Sequence, residues 1–203
     1  AIVITTKKGR PGTTRVVYDD AFKIENVYRF PDIQTTYARG VNGIYDPNAY
    51  SSLYGFNMFG PKYSDTTQFY DNLHHFFETG FTQQHNLSVE SGGNTASYRF
   101  SAGYLNQQGV VPNTKYERVN LRLSGTAKIG EKISMYSSWA YILSTNNKAA
   151  KGVGTYYTDL ITWPIDSDVK NYVNADGSRK LLRNNTSGYT GELDNPFWDV
   201  NKN

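Results

Sequence analysis

Cysteine is absent from this chain, which removes disulfides, thiol nucleophiles and thiolate metal sites together. Long apolar runs are absent too: no window approaches the roughly 18 apolar residues of a membrane-spanning helix. Charge is sparse, at 19% of residues, and nearly balanced at a net +3. The nearest thing to a basic stripe is the short Lys7-Lys8-Gly9-Arg10, so neither nucleic acid nor an anionic membrane surface is indicated as a partner. No basic segment stands ahead of the apolar Ala1-Ile2-Val3-Ile4, so no secretory leader is visible. The expectation is that the start of the gene product lies before Ala1 or has been removed.

Catalytic signatures are also missing. Serine is frequent, but no G-x-S-x-G and no His–Asp companion pattern goes with it. The expected strands carry Glu90 and only a few scattered acids besides, so the pattern gives no pair of facing carboxylates for a glycosidase. The chain is expected not to be an enzyme and to need no cofactor.

What is abundant is tyrosine, 17 residues, and glycine, 18, in a chain that is 38% hydrophobic. Aromatic, polar and weakly charged, such a sequence suits strands with one wet face. Alternation supports this. Val16, Tyr18, Phe22 and Ile24 share one parity, with Asp20 as an exception; Leu87 and Val89 alternate with Asn86, Ser88 and Glu90. Tyr98, Phe100, Ala102 and Tyr104 alternate with Ser97, Arg99, Ser101 and Gly103. Val119, Leu121, Leu123, Ala127 and Ile129 alternate with Asn120, Arg122, Ser124, Thr126 and Lys128. Ile133, Met135, Trp139, Tyr141 and Leu143 complete the series. The pattern predicts strands over 13–24, 84–92, 96–106, 116–129 and 132–144, joined as an antiparallel meander. The alternating runs Ser97–Leu105, Val119–Ile129 and Ile133–Leu143 have the length, about 9–11 residues, that a tilted strand needs to cross a bilayer.

Connection lengths sort by parity. Gly92–Thr95 and Gly130–Glu131 are tight turns at one end. Glu25–Gln84, Asn106–Lys115 and the stretch after Ser144 all fall at the other. Short turns on one side and long loops on the other characterise outer-membrane barrels. Trp139, Tyr141 and Tyr104 toward the loop end, and Tyr98 toward the turn end, are expected at the aromatic girdles. Short strands are expected near Val169–Val173 and Arg179–Leu182 around an Asn174–Gly177 turn, and polar loop from Asn184 to Asn203.

Several segments are similar to one family. Ala1-Ile2-Val3-Ile4-Thr5-Thr6-Lys7-Lys8-Gly9 resembles the last plug strand of SusC/RagA-type TonB-dependent transporters. Gln84-His85-Asn86-Leu87-Ser88-Val89-Glu90-Ser91-Gly92-Gly93 resembles an early barrel strand of that family, and Ser97 through Asn113 and Tyr116 through Leu123 follow in its order and spacing. The resemblance covers Ala1–Gly9 and Phe76–Asn147 and is loose elsewhere. It implies an all-β fold, part of a plugged transmembrane antiparallel β-barrel of about 22 strands. Residues 1–10 would be the end of the plug domain and 13–203 the first strands and outer loops. It also implies a bacterial outer-membrane location and TonB-driven import of a glycan or peptide nutrient. The implied partners are a SusD-like surface lipoprotein, TonB acting through a segment absent here, the oligosaccharide or peptide cargo, and outer-membrane lipid.

Site candidates follow from these readings. Arg99, Asn120, Arg122 and Lys128, on the polar face, are expected to face the lumen and meet plug and water there. Tyr156, Tyr157 and Trp163 are the substrate-binding candidates, because aromatic faces in an outer loop stack on sugars; the competing expectation is that they pack the loop. His74-His75 with Glu78 lacks a third ligand, and Asp166-Ser167-Asp168 and Asp176-Gly177 lack the ligand count of a Ca²⁺ loop, so no metal is expected. Gly152-Val153-Gly154 is too short for a dinucleotide fingerprint, and the sequon Asn184-Asn185-Thr186 is idle in a bacterial setting. The rival readings are a secreted soluble all-β carbohydrate-binding module and a passive porin or adhesin barrel; the plug-like Ala1–Gly9 speaks against the second.

Overall fold

The computed structural model describes residues 12–46, 57–150, 155–182 and 194–202. The plug-like segment Ala1–Gly9, the Gly152-Val153-Gly154 run and the sequon lie outside these residues. The chain divides into two compact units. One holds the main sheet; the other is built from Glu25–Gly80, Gly109–Thr114 and Lys148–Asn203.

The sheet unit contains β1 (Gly12–Glu25), β4 (Gly80–Gly92), β5 (Ala96–Gln108), β6 (Lys115–Ile129) and β7 (Ile133–Asn147), hydrogen-bonded in the order β1-β4-β5-β6-β7. It is mostly β, antiparallel and not closed. β4, β5, β6 and β7 pair antiparallel without a slip: Val89 faces Phe100, Phe100 faces Leu123, and Leu123 faces Trp139. Contacts from Thr14 to Ser91, Tyr18 to His85 and Phe22 to Phe81 show β1 running antiparallel to β4. Gly93 N–H bonds Ala96 O at 2.7 Å to close the β4–β5 turn, and Gly130, at φ +62°, closes the β6–β7 turn where a side chain would be strained.

The strands outrun the alternation that predicts them. β4 begins at Gly80 rather than 84, and β7 ends at Asn147 rather than 144. Thr145, Asn146 and Asn147 pair with Glu117, Tyr116 and Lys115, polar side chains on both faces. A ladder of backbone hydrogen bonds continues there although the side chains give no periodic signal.

The second unit includes the small hairpin β2 (Gly40–Val41) and β3 (Ile44–Tyr45), and the short helices α1 (Asn72–Phe76), α2 (Tyr156–Thr162) and α3 (Pro196–Lys202). Its core is Leu73, Phe76, Leu160, Trp163 and Val169, with Phe30, Val111, Tyr156, Phe197 and Val200 packed against it. Three chain segments far apart in sequence thus share one apolar centre. Two expectations are corrected here. Where short strands were expected around Asn174–Gly177 there is a single bridge, Val173–Arg179, because the Asn174 amide holds the turn itself through Ser178 Oγ at 3.0 Å and Arg179 O at 3.0 Å. Where polar loop was expected, α3 forms: Asn195 Oδ1 accepts from Phe197 N–H at 2.8 Å, capping its first turn.

Candidate functional site

The sheet has two chemically different faces. The face of Val16, Tyr18, Phe22, Leu87, Tyr98, Phe100, Leu121, Leu123, Met135, Trp139 and Tyr141 is apolar and exposed across all five strands. Trp139 is 71% exposed. Isolated exposed apolar residues are ordinary, but a contiguous face of them marks a surface that another protein surface or a membrane would cover. Its height is informative. In β6 the apolar parity runs from Val119 to Ile129, roughly 33 Å along the strand at about 3.3 Å per residue. At the tilt of about 40° usual for such strands this spans roughly 25 Å, the height of the lipid-facing band of an outer-membrane barrel.

Polar groups border this band where β5 and β7 end. Tyr104 O–H points to Glu117 Oε1 at 3.4 Å, the Asn106 amide donates to the Tyr104 oxygen at 3.0 Å, and Lys115 Nζ lies 3.0 Å from Glu117. Tyr18 O–H and His85 Nδ1 are 2.7 Å apart, with Phe22 and Phe81 stacked beside them. Aromatic rings and hydrogen-bonding tips thus mix at this end of the sheet, with Phe22 and Phe81 farther toward the loop ends than Tyr18 and His85. Trp139 is not part of this mixture. Register sets it beside Leu123, Phe100 and Val89, with Tyr141 and Leu143 of its own strand still to come, so it lies inside the band and not at the girdle position expected of it.

The opposite face carries Arg99, Asn120, Arg122 and Lys128. Arg99 Nη1 donates to Glu90 Oε2 at 2.6 Å across β5 and β4, with both side chains mostly enclosed. A Cβ on Gly103 would meet the Asn120 amide at 2.6 Å, so the glycine leaves room for that side chain to lie across β5. Ser97 Oγ and Thr126 Oγ1 hydrogen-bond at 2.6 Å. The four expected residues share this polar face but not one cluster: they are spread along the strands.

The three aromatic candidates separate. Trp163 is 3% exposed, in the core, and its Nε1–H donates to Ser167 O at 3.1 Å. With no open face, it has no stacking surface to offer in this structure. Tyr156 stacks on Phe76 at 5.5 Å, and burial, followed by the neighbouring Tyr157, raises its phenol pKa. Tyr157, half exposed, keeps an accessible ring. Sequence reasoning missed Asn72. This buried amide donates to Pro164 O at 3.2 Å and Ser167 O at 2.9 Å and accepts from Val169 N–H at 3.1 Å. It ties the first long connection to the last, and no local pattern announces that.

The remaining candidates have structural partners. Asp71 caps α1, accepting from His74 N–H at 3.2 Å and from His74 Nδ1 at 2.7 Å. Among the described residues no three potential metal ligands come together. Asp168 accepts from Lys170 N–H at 2.9 Å, and Asp166 lies 3.6 Å from Arg39. Beside that pair, Tyr63 is pushed up to about 12 by burial and by the Asp166 carboxylate, with Arg39 opposing.

Asp71 has a measurable pH signature. Burial pushes its carboxyl up, but the two bonds from His74 and the charges of His74 and His75 outweigh this and hold it below the usual 3.8. A depressed folded pKa means that the cap contributes stability above 3.8 and loses it as pH falls through the lowered value. The His74 amide resonance is expected to titrate with a midpoint below 3.8; a midpoint at or above that value would show the cap absent in solution.

No family model matches this chain, and no curated relative matches it by sequence. Among solved structures it is similar to a chain of the RagAB peptide importer in the closed-closed state, with a TM-score of 0.56 and 17% identity over 95% of this chain and 25% of that one. The open-open state gives 0.56 and 18% over 95% and 24%. The chain thus spans about a quarter of the length of these neighbours, and at this identity the likeness speaks for the fold. No helix among the described residues is long and apolar enough to cross a membrane, which says nothing about strands.

Proposed function

We propose that this chain is the opening part of the wall and outer loops of a SusC/RagA-type TonB-dependent importer in the bacterial outer membrane. The observation that carries the reading is the exposed apolar face, of bilayer height, on an antiparallel sheet whose neighbours in fold belong to a peptide importer. The apolar face would meet lipid. Arg99, Asn120, Arg122 and Lys128 would look into the lumen. Residues 1–10 would end the plug, and 13–203 would form the first barrel strands and loops. A SusD-like lipoprotein and TonB would be its partners. Of the two cargo classes, peptide is favoured over glycan, because the neighbours import peptides. Tyr157 is the aromatic that would meet cargo. A soluble carbohydrate-binding module fits less well, since such a sandwich encloses its apolar faces, whereas Trp139 and its neighbours are open.

Fractionation of the source organism tests this. The polypeptide carrying this sequence is expected in the outer membrane, released only by detergent, and to migrate faster before boiling than after, as a closed barrel does. A soluble species no larger than this chain would sink the proposal, because an open sheet cannot persist in lipid.

A further inference from the structure

The polar face of β5, β6 and β7 carries charge of one sign. Arg118, Arg122 and Lys128 share the polar parity of β6, and Arg99 sits opposite Ser124 on β5. Their cross-strand neighbours are neutral: Arg118 lies between Leu105 and Ser144, Arg122 between Ser101 and Ala140, and Lys128 opposite Ser134. The nearest acid on this face, Glu90, is taken by Arg99. Arg118, Arg122 and Lys128 make no ion pair among the described residues, and Arg118 Nε is enclosed without a hydrogen-bond partner there. Wet sheet faces ordinarily mix signs, because opposite charges across strands stabilise and like charges repel.

The spacing makes a ladder. Arg118, Arg122 and Lys128 follow one another at intervals of roughly 13 and 20 Å along β6, at about 3.3 Å per residue, with the neutralised Arg99–Glu90 pair set between the last two. These exceed the Debye length of about 8–10 Å, so in open solution each rung would act by itself; lining a partly enclosed path, where screening is weaker, they make one positive wall. A wall of this kind concentrates anions and offers several weak sites in place of one tight one, the condition for passage without trapping.

We infer that this cation ladder gives the import path a preference for anionic cargo, namely peptides rich in Asp and Glu. The inference rests on the importer reading, which sets the polar face toward the lumen. It differs from a seat for the plug, which would need fixed carboxylates at matching heights and would serve every cargo alike.

The test uses the full-length transporter with its partner in cells, and three labelled peptides identical except for Glu, Gln or Lys at the same positions. The Glu peptide is expected to enter several-fold faster than the Gln peptide, and the Lys peptide more slowly than either. Raising salt should narrow the difference. In the double variant Arg122→Gln/Lys128→Gln the Glu advantage should fall toward unity while Gln-peptide uptake holds. Equal uptake of Glu and Gln peptides by the parent overturns the ladder and leaves import intact. Equal loss of all three in the variant also overturns it, assigning the cations to the plug. Failure of the parent to take up any of the three removes the peptide-import reading and the ladder together.

Discussion

Trp163→Ala is expected to destabilise the unit built from the long connections by about 3–5 kcal/mol, the usual cost of emptying a large aromatic site in a core. Trp163 sits among Leu73, Phe76, Leu160 and Val169, and little of the cavity could collapse, because Phe76 and Leu160 are themselves fully enclosed. The hydrogen bond lost is the smaller part. Ser167 O, which accepts from the indole, still accepts from the Asn72 amide at 2.9 Å and is not left unpaired. Against a typical total of about 5–15 kcal/mol, such a loss leaves the unit partly open at ambient temperature. Hydrogen exchange reads this directly: the Tyr70 amide, bonded to Ile165 O at 2.8 Å, and the Val169 amide should lose protection. Tyr157→Ala is the contrast. It removes an open ring and is expected to leave exchange unchanged while raising the KM for uptake. Were Trp163→Ala to raise KM with protection intact, the indole would be a cargo platform after all and the enclosed position would not be its working one.

Different parts of the molecule were legible in the sequence to different degrees, for physical reasons. The five long strands could be read because each has one apolar and one polar face, and a period of two is visible in a single chain. The polar parity of Arg99, Asn120, Arg122 and Lys128 followed from the same pattern. The place of Trp139 within the band did not, since height depends on register with β6 and not on distance from a strand end. The second unit was barely legible. Asn72 meets Ser167 across 95 positions, so the burial of Trp163 depends on partners no local window contains. In α3, Phe197 and Val200 are three apart on one face, too short a helix to announce itself. Tyr156 and Tyr157 differ in fate although adjacent, because one points at Phe76 and the other away.

Leu123→Arg should prevent stable insertion where Ser138→Arg does not. The two positions lie in neighbouring rows of β6 and β7, Leu123 opposite Trp139 and Ser138 opposite Ser124, on opposite faces of one sheet. Leu123 is in the middle of the apolar run, with Ala127 and Ile129 of that face on one side and Val119 on the other. An arginine facing lipid at that depth costs about 2–4 kcal/mol, and the cost falls toward the rim. Ser138 is exposed on the polar face, where an added cation stays hydrated and adds one rung beside Arg122. Heat-modifiable migration of the protein refolded into bilayers measures the difference: the Leu123→Arg variant is expected to lose most of its folded band and Ser138→Arg to keep it. Lys115, already charged where the apolar run has ended, marks the height at which the penalty should vanish, so Glu117→Arg is expected to behave like Ser138→Arg once its ion pair with Lys115 is discounted. If Leu123→Arg and Ser138→Arg were equally tolerated, the apolar face would be in contact with water, and the sheet would need another explanation for the aromatic and aliphatic surface it exposes. If both abolished folding, both faces of the sheet would be enclosed. Loss at Leu123 alone, in a protein that reaches its folded band only in bilayers, is the outcome that one-sided contact with lipid gives; a sandwich would show the same asymmetry but fold without them.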